Sequence, residues 1–234
     1  MSENKTGKYL KYAIGEIVLV MLGILLALQV NNWNEQRKNH LRSSKLFENL
    51  ESSLKTDSIA LIDIISRSDK AVSNMKIILD NTAPQLREQF SDSDMRTMAR
   101  AVFEGVYSFY PKMGVYNQIM SSNLMSLIQS NDIKDALRLY YDFRCTRYRT
   151  LDPLMDTKFH INYQSFLAEK LQITHNTHFD AVDYQKTYVI KDIEALQTEV
   201  KKLYDLSFGV HGIVKEMKQD IDNLLILISS ELTQ

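Results

Sequence analysis

His175 and His178 stand three residues apart, with Asp180 and Asp183 close behind. On a helix, residues i and i+3 share a face, the minimum for two ligands on one metal ion. No H-E-x-x-H occurs and no third ligand stands at a matching spacing, so the segment reads as solvated polar chain. We assign no metal and no cofactor. A second group is aromatic: Tyr107, Phe109, Tyr110, Tyr116, Tyr140, Tyr141 and Tyr148, with Arg144, Arg147 and Arg149 beside the last three. Tyrosines line ligand pockets because each joins an apolar ring to a polar tip. They equally fill the joints of a helical bundle, and the arginines could bind an anion or, equally, match neighbouring acids such as Asp142 and Asp152. Tyr107, Tyr110, Tyr116, Tyr140, Tyr141 and Arg144 are therefore the candidate pocket residues. The single cysteine, Cys145, permits neither an intrachain disulfide nor a cysteine metal cluster. Walker-A, G-x-G-x-x-G, G-x-S-x-G and C-x-x-C patterns are all missing. No catalytic residue is assigned, and the expectation is a protein that is not an enzyme.

The elements that position these residues begin with a membrane segment. Residues 12–30, YAIGEIVLVMLGILLALQV, supply 19 positions with one carboxylate, Glu16. A bilayer core about 30 Å thick needs roughly 20 apolar residues in a helix. The run is long for a signal peptide and no A-x-A site follows, so it reads as an uncleaved anchor. Trp33 falls at headgroup depth on the exit side. Lys5, Lys8 and Lys11 precede the span; Arg37, Lys38, Arg42 and Lys45 follow it. The positive-inside count is nearly a tie. A short tail staying inside would place the rest outside the cytoplasm, in the periplasm of an inner-membrane protein. On a helical projection Glu16, Val20, Gly23 and Ala27 share one side. Gly23 and Ala27 form a small-xxx-small pair, which lets two helices approach closely. This face is a candidate helix interface, or, with Glu16 inward, the wall of a pore.

Beyond the span the chain has almost no helix breakers. Prolines number three, and neither Pro nor Gly occurs between Asn34 and Pro84. Apolar residues recur at Phe47, Leu50, Leu54, Leu61, Ile65, Val72, Met75 and Leu79, a heptad-like spacing that Ser58 and Ser68 interrupt. The pattern predicts one helix from about Tyr9 to Leu79, with a break near Lys55–Ser58 as the alternative. Ser93 or Asp94 is expected to cap the next helix, which ends near Gly105. Pro111 and Gly114 punctuate an aromatic loop. A short helix follows over about 115–129. Asn131 or Asp132 caps another, which Pro153 kinks or briefly interrupts. A last long helix covers about 184–232, bent but not ended by Gly209 and Gly212. The expected fold is all-α: a tail over 1–11, a span over 12–30, a helical stalk over 31–80 and a bundle over 81–234. The first and last helices are expected to run antiparallel. The formal net charge is −1, which argues against nucleic acid as a partner.

The block GKYLKYAIGEIVLVMLGILLALQVNNWNEQRK resembles a family of small, uncharacterised membrane proteins of Bacteroidota. Its members carry G-K-Y-x-x-Y-A-x-G-E-I-x-L-V, then G-I-L-x-A-L-Q and N-N-W-N-E. A second point of similarity lies at Tyr116, Ser122, Ile128, Asn131, Tyr140 and Tyr141. The chain departs by placing Asn123 where the family often has Gly. The resemblance implies the anchor and the domain class, and no activity.

The expected protein is a membrane scaffold, sensor or accessory subunit. Its expected partners are the lipid bilayer, further copies of itself and other envelope proteins. A homo-oligomeric channel and a small-ligand binding module are the alternatives.

Overall fold

The computed structural model describes residues 5–105, 108–122, 124–170, 190 and 192–232, with side chains from Ile14 onward. Among the described residues every regular element is helical, in keeping with the sparse Gly and Pro content. Helix α1 runs unbroken over Lys5–Asp80, about 110 Å at 1.5 Å per residue. It starts inside the expected tail and does not break near Lys55. Short helices α2 (Ala83–Gln89) and α3 (Asp92–Glu104) follow. Then come α4 (Gly114–Ser121) and a 3₁₀ turn at Leu124–Leu127. Residues 131–170 form one continuous helical rod: α5 (Asn131–Arg138), α6 (Thr146–Met155) and α7 (Gln164–Lys170), joined by π-helical segments at Leu139–Cys145 and Asp156–Tyr163. Pro153 lies inside α6 without ending it. Helix α8 covers Ile193–Leu232, and Gly209 and Gly212 do not interrupt it. The expected start near Tyr184, like His175 and His178, lies outside the described residues.

Two helix starts differ from expectation for a definite reason. Ser91, not Ser93 or Asp94, caps α3. Its Oγ accepts from the Asp94 N–H at 3.2 Å, and Asp94 Oδ2 accepts from the Ser91 N–H at 3.0 Å. This reciprocal capping box satisfies two amide donors at once, which neither alternative does. Ser130 caps α5, its Oγ accepting from the Ile133 N–H at 3.3 Å.

The apolar window of α1 has no buried residue: Ile14, Leu19, Leu26 and Val30 are all exposed. An uncovered apolar cylinder of that length suits lipid and not water, so among the described residues the chain has one membrane-spanning helix, with a helical domain beyond it. From Leu46 onward α1 enters the domain core. Its central buried row is Leu50, Leu54, Asp57, Leu61, Ile64, Ser68, Ala71, Met75 and Ile78, an unbroken alternation of four and three, with Leu46, Phe47 and Val72 buried beside it. Helix α8 answers with Ile193, Leu196, Val200, Leu203, Ser207, Val210, Val214, Met217, Ile221, Leu224 and Ile228, the same alternation. The helices run antiparallel, as expected: Gln197 Nε2 donates to the carbonyls of Ile78 and Asn81, whereas Lys215 pairs with Asp69. The expected seam through Ile65 and Leu79 is displaced by one residue to Ile64 and Ile78. Asp57 and Ser68 hold seam positions, and reading through apolar residues alone loses the register there. Ser58, expected to interrupt the seam, lies beside it, half-buried.

Candidate functional site

The aromatic cluster forms around the first π-helical segment. Its wider i→i+5 turn brings the consecutive Tyr140 and Tyr141 both fully inside. They meet edge to face with centroids 4.7 Å apart. Tyr141 stacks on Tyr116 of α4 at 4.5 Å, and the Tyr116 hydroxyl donates to Asp142 Oδ2 at 2.8 Å. That bond and burial push the Tyr116 phenol above its usual range, burial being the larger cause. Phe109 meets Tyr148 edge to face at 6.2 Å.

At the base of the cluster sits Asp57, a carboxylate in an otherwise apolar stretch of the α1 seam. Both oxygens accept from the Lys112 backbone N–H at 3.0 Å, and Oδ2 accepts from the Tyr140 hydroxyl at 3.2 Å. Burial raises the Asp57 pKa above the usual carboxylate value; the two donors and the Lys112 charge oppose that shift without cancelling it. One acid thus ties the stalk, the 108–113 loop and the π-helical segment together. A polar residue at a seam position sets register, because any other alignment would leave it buried without partners. Cys145 lies next to this joint, buried, and burial pushes its thiol up to about 12. A thiol held so far toward its neutral form is not a nucleophile near pH 7.

Beside the joint is a cavity of about 180 Å³. Phe109, Tyr110, Met113 and Tyr141 supply its apolar and aromatic walls, and Arg149 and Asp152 of α6 its charged groups. Of the six pocket residues expected from the sequence, Tyr110 and Tyr141 line it. Tyr116 and Tyr140 stand behind Tyr141 in the aromatic stack. Arg144 is spent elsewhere: its guanidinium pairs with Glu216 and Asp220 of α8. Tyr107 lies outside the described residues. Arg149 and Asp152 stand in the sequence as one of three candidate anion-binding arginines and a matching acid, and neither is among the six, because an i, i+3 pair on an arginine-rich helix looks like any solvated face.

A second polar group joins the two long helices. Ser68 Oγ lies 2.8 Å from His211 Nδ1, and His211 Nε2 lies 3.1 Å from Asp69 Oδ1. The order is that of a hydroxyl, base and acid relay, assembled from residues far apart in the chain, so no spacing rule finds it. Ser68 is buried within the seam, and the group acts as a staple between α1 and α8. With the imidazole neutral and Nε2–H donating to Asp69, Nδ1 is left as an acceptor, and the one Ser68 proton is shared between it and the Ile65 carbonyl at 3.0 Å. Burial, and then the Lys215 charge, lower the His211 pKa, while Asp69 raises it. A lowered folded-state value means stability is full above the ordinary value near 6.5 and is lost as pH falls through the folded value. The melting temperature should therefore fall between about pH 8 and pH 5, and less steeply in His211→Gln; identical slopes would refute this role.

On the membrane side, Glu16, Val20, Gly23 and Ala27 occur in α1, exposed along the apolar length. A Cβ built on Gly23 would meet nothing within 4 Å. Trp33 is exposed just beyond the span.

No curated protein and no solved structure matches this chain. A family model does: it covers residues 16–192, from the membrane helix through the aromatic joint to the start of α8. That match takes in most of the chain, and the protein belongs to the family of unknown function DUF6090.

Proposed function

We propose that this protein is a non-catalytic scaffold or sensor of the cell envelope, in which one rigid helix couples a membrane-embedded assembly face to a helical domain. The observation that carries this reading is the continuity of α1, which passes from the exposed apolar span into the buried seam with no break. A continuous helix transmits rotation and translation along its axis, because a sharp kink would break the backbone hydrogen bonds of the turn where it falls. The joint at Asp57 gives the domain a grip on that axis.

In this reading the copies associate through Glu16, Val20, Gly23 and Ala27, with the span in the inner membrane and the bundle in the periplasm. Close backbone approach at Gly23 and Ala27 supplies dispersion contacts that lipid cannot match. The test is particle mass in detergent by mass photometry. Gly23→Leu with Ala27→Leu should shift an oligomeric particle to the monomer mass while leaving the helical circular dichroism unchanged. A wild-type particle that is already monomeric, or a double variant of unaltered mass, would refute self-association through this face.

A further inference from the structure

We infer that the cavity between the 109–113 loop and α6 is a binding site for a small zwitterion with an apolar side chain, such as an apolar α-amino acid. The inference rests on two opposite charges set on one cavity. Asp152 and Arg149 both line it, and neither side chain has an ion-pair partner among the described residues. Tyr141, fully buried, forms part of its wall. A concave, mostly apolar site with a few convergent charged groups is the usual form of a small-ligand pocket.

The chemistry of the ligand follows from those groups. A carboxylate oxygen accepts best from a cationic donor, so Asp152 selects an ammonium group. Arg149, three residues earlier on α6 and on the same face, also lines the cavity and is exposed at its rim. It would repel a bare cation and select a carboxylate. A group bearing both charges satisfies both residues. Apart from Thr146, the remaining walls, among them Phe109, Tyr110 and Met113, are aromatic or apolar. An apolar cavity of about 150 Å³ holds one benzene-sized body, so this one takes a single aromatic ring or branched aliphatic chain beneath the charged head.

The test is isothermal titration of the full-length protein in detergent with L-phenylalanine and L-leucine. Phenethylamine and 3-phenylpropionate, which carry one charge each, serve as comparison ligands. Saturable binding is expected for at least one amino acid, with Kd between about 1 μM and 1 mM for a ligand of this size. Each singly charged compound should bind at least about tenfold more weakly. Arg149→Gln should lose about tenfold, and because that side chain is exposed the fold should be unaffected, as a helical melt would verify. Asp152→Asn should lose at least as much. The proposal is overturned if neither amino acid binds up to about 10 mM, if Arg149→Gln binds as tightly as the wild type, or if a singly charged compound matches the amino acids.

Discussion

Gly105→Ala should be the most damaging conservative substitution in this protein. Gly105 closes α3 with φ −85° and ψ −7°, a conformation open to any residue. Its role is therefore space and not backbone freedom. A Cβ there would overlap the Ala71 Cβ and lie 3.3 Å from the Arg67 carbonyl oxygen, both on α1. Neither neighbour is a flexible side-chain tip, so α3 would have to lift off the stalk. In open surroundings Gly→Ala stabilises by a few tenths to 1 kcal/mol through the unfolded chain. Here overpacking should reverse the sign and cost about 3 kcal/mol, lowering the melting temperature by roughly 6–12 °C for a domain of this size. Ala71→Gly in the same chain should recover part of the loss, since the Arg67 carbonyl remains in the way. Alone it should cost about 1 kcal/mol from helix propensity. A Gly105→Ala protein that melts with the wild type would disprove the close approach, and additive effects of the two substitutions would disprove the coupling.

The second large effect is expected at Asp57. Asp57→Ala removes the acceptor for the Lys112 N–H and the Tyr140 hydroxyl together. Each buried donor left unmet costs about 1–3 kcal/mol. Removing a buried charge returns some of that, so the net loss should be about 2–4 kcal/mol. Asp57→Asn keeps an acceptor and discards the charge, and it should stay within about 1 kcal/mol of the wild type at pH 7. The pH dependence separates these terms. The Asp57 pKa is raised above its ordinary value of 3.8, so the folded state holds the proton more tightly than the unfolded chain. The associated stabilisation is full below the ordinary value and is lost as pH rises through the raised one. The wild type should gain on Asp57→Asn as the solution is acidified through that window. A pH-independent difference would refute a buried, ionising Asp57. Equal losses for the Ala and Asn variants would show that the charge, and not the acceptor, holds the joint.

Both positions were visible in the sequence only as something else. Gly105 looked like a helix stop, and it does sit at one. Its closeness to Ala71 depends on how α3 lies across α1, which no local pattern encodes. Asp57 was hidden because a search for apolar repeats skips a carboxylate, although it falls on the four-three alternation between Leu54 and Leu61. Ser207 on α8 was passed over in the same way. The π-helical segments had no signature either. The first forms where the rod over 131–170 buries two adjacent tyrosines, Tyr140 and Tyr141. The Ser68–His211–Asp69 staple draws on the C-terminal part of α1 and the middle of α8. Only the antiparallel register of those helices makes it.

What the sequence determined by itself was the all-helical class, the length of α1 and the presence of one span. These follow from local physics: few Gly and Pro to stop a helix, and 19 consecutive mostly apolar residues that water cannot accommodate. It also marked the tyrosines as a group, because ring density is a matter of composition. What only the tertiary structure decided was the use of each polar residue among them. Arg144 reaches across to α8, while Arg149, five residues later, faces the cavity. The two share a residue type and a helical rod. They differ in the direction each side chain takes from it, and the intervening π-turn and the packing of the rod against α1 and α8 set that direction.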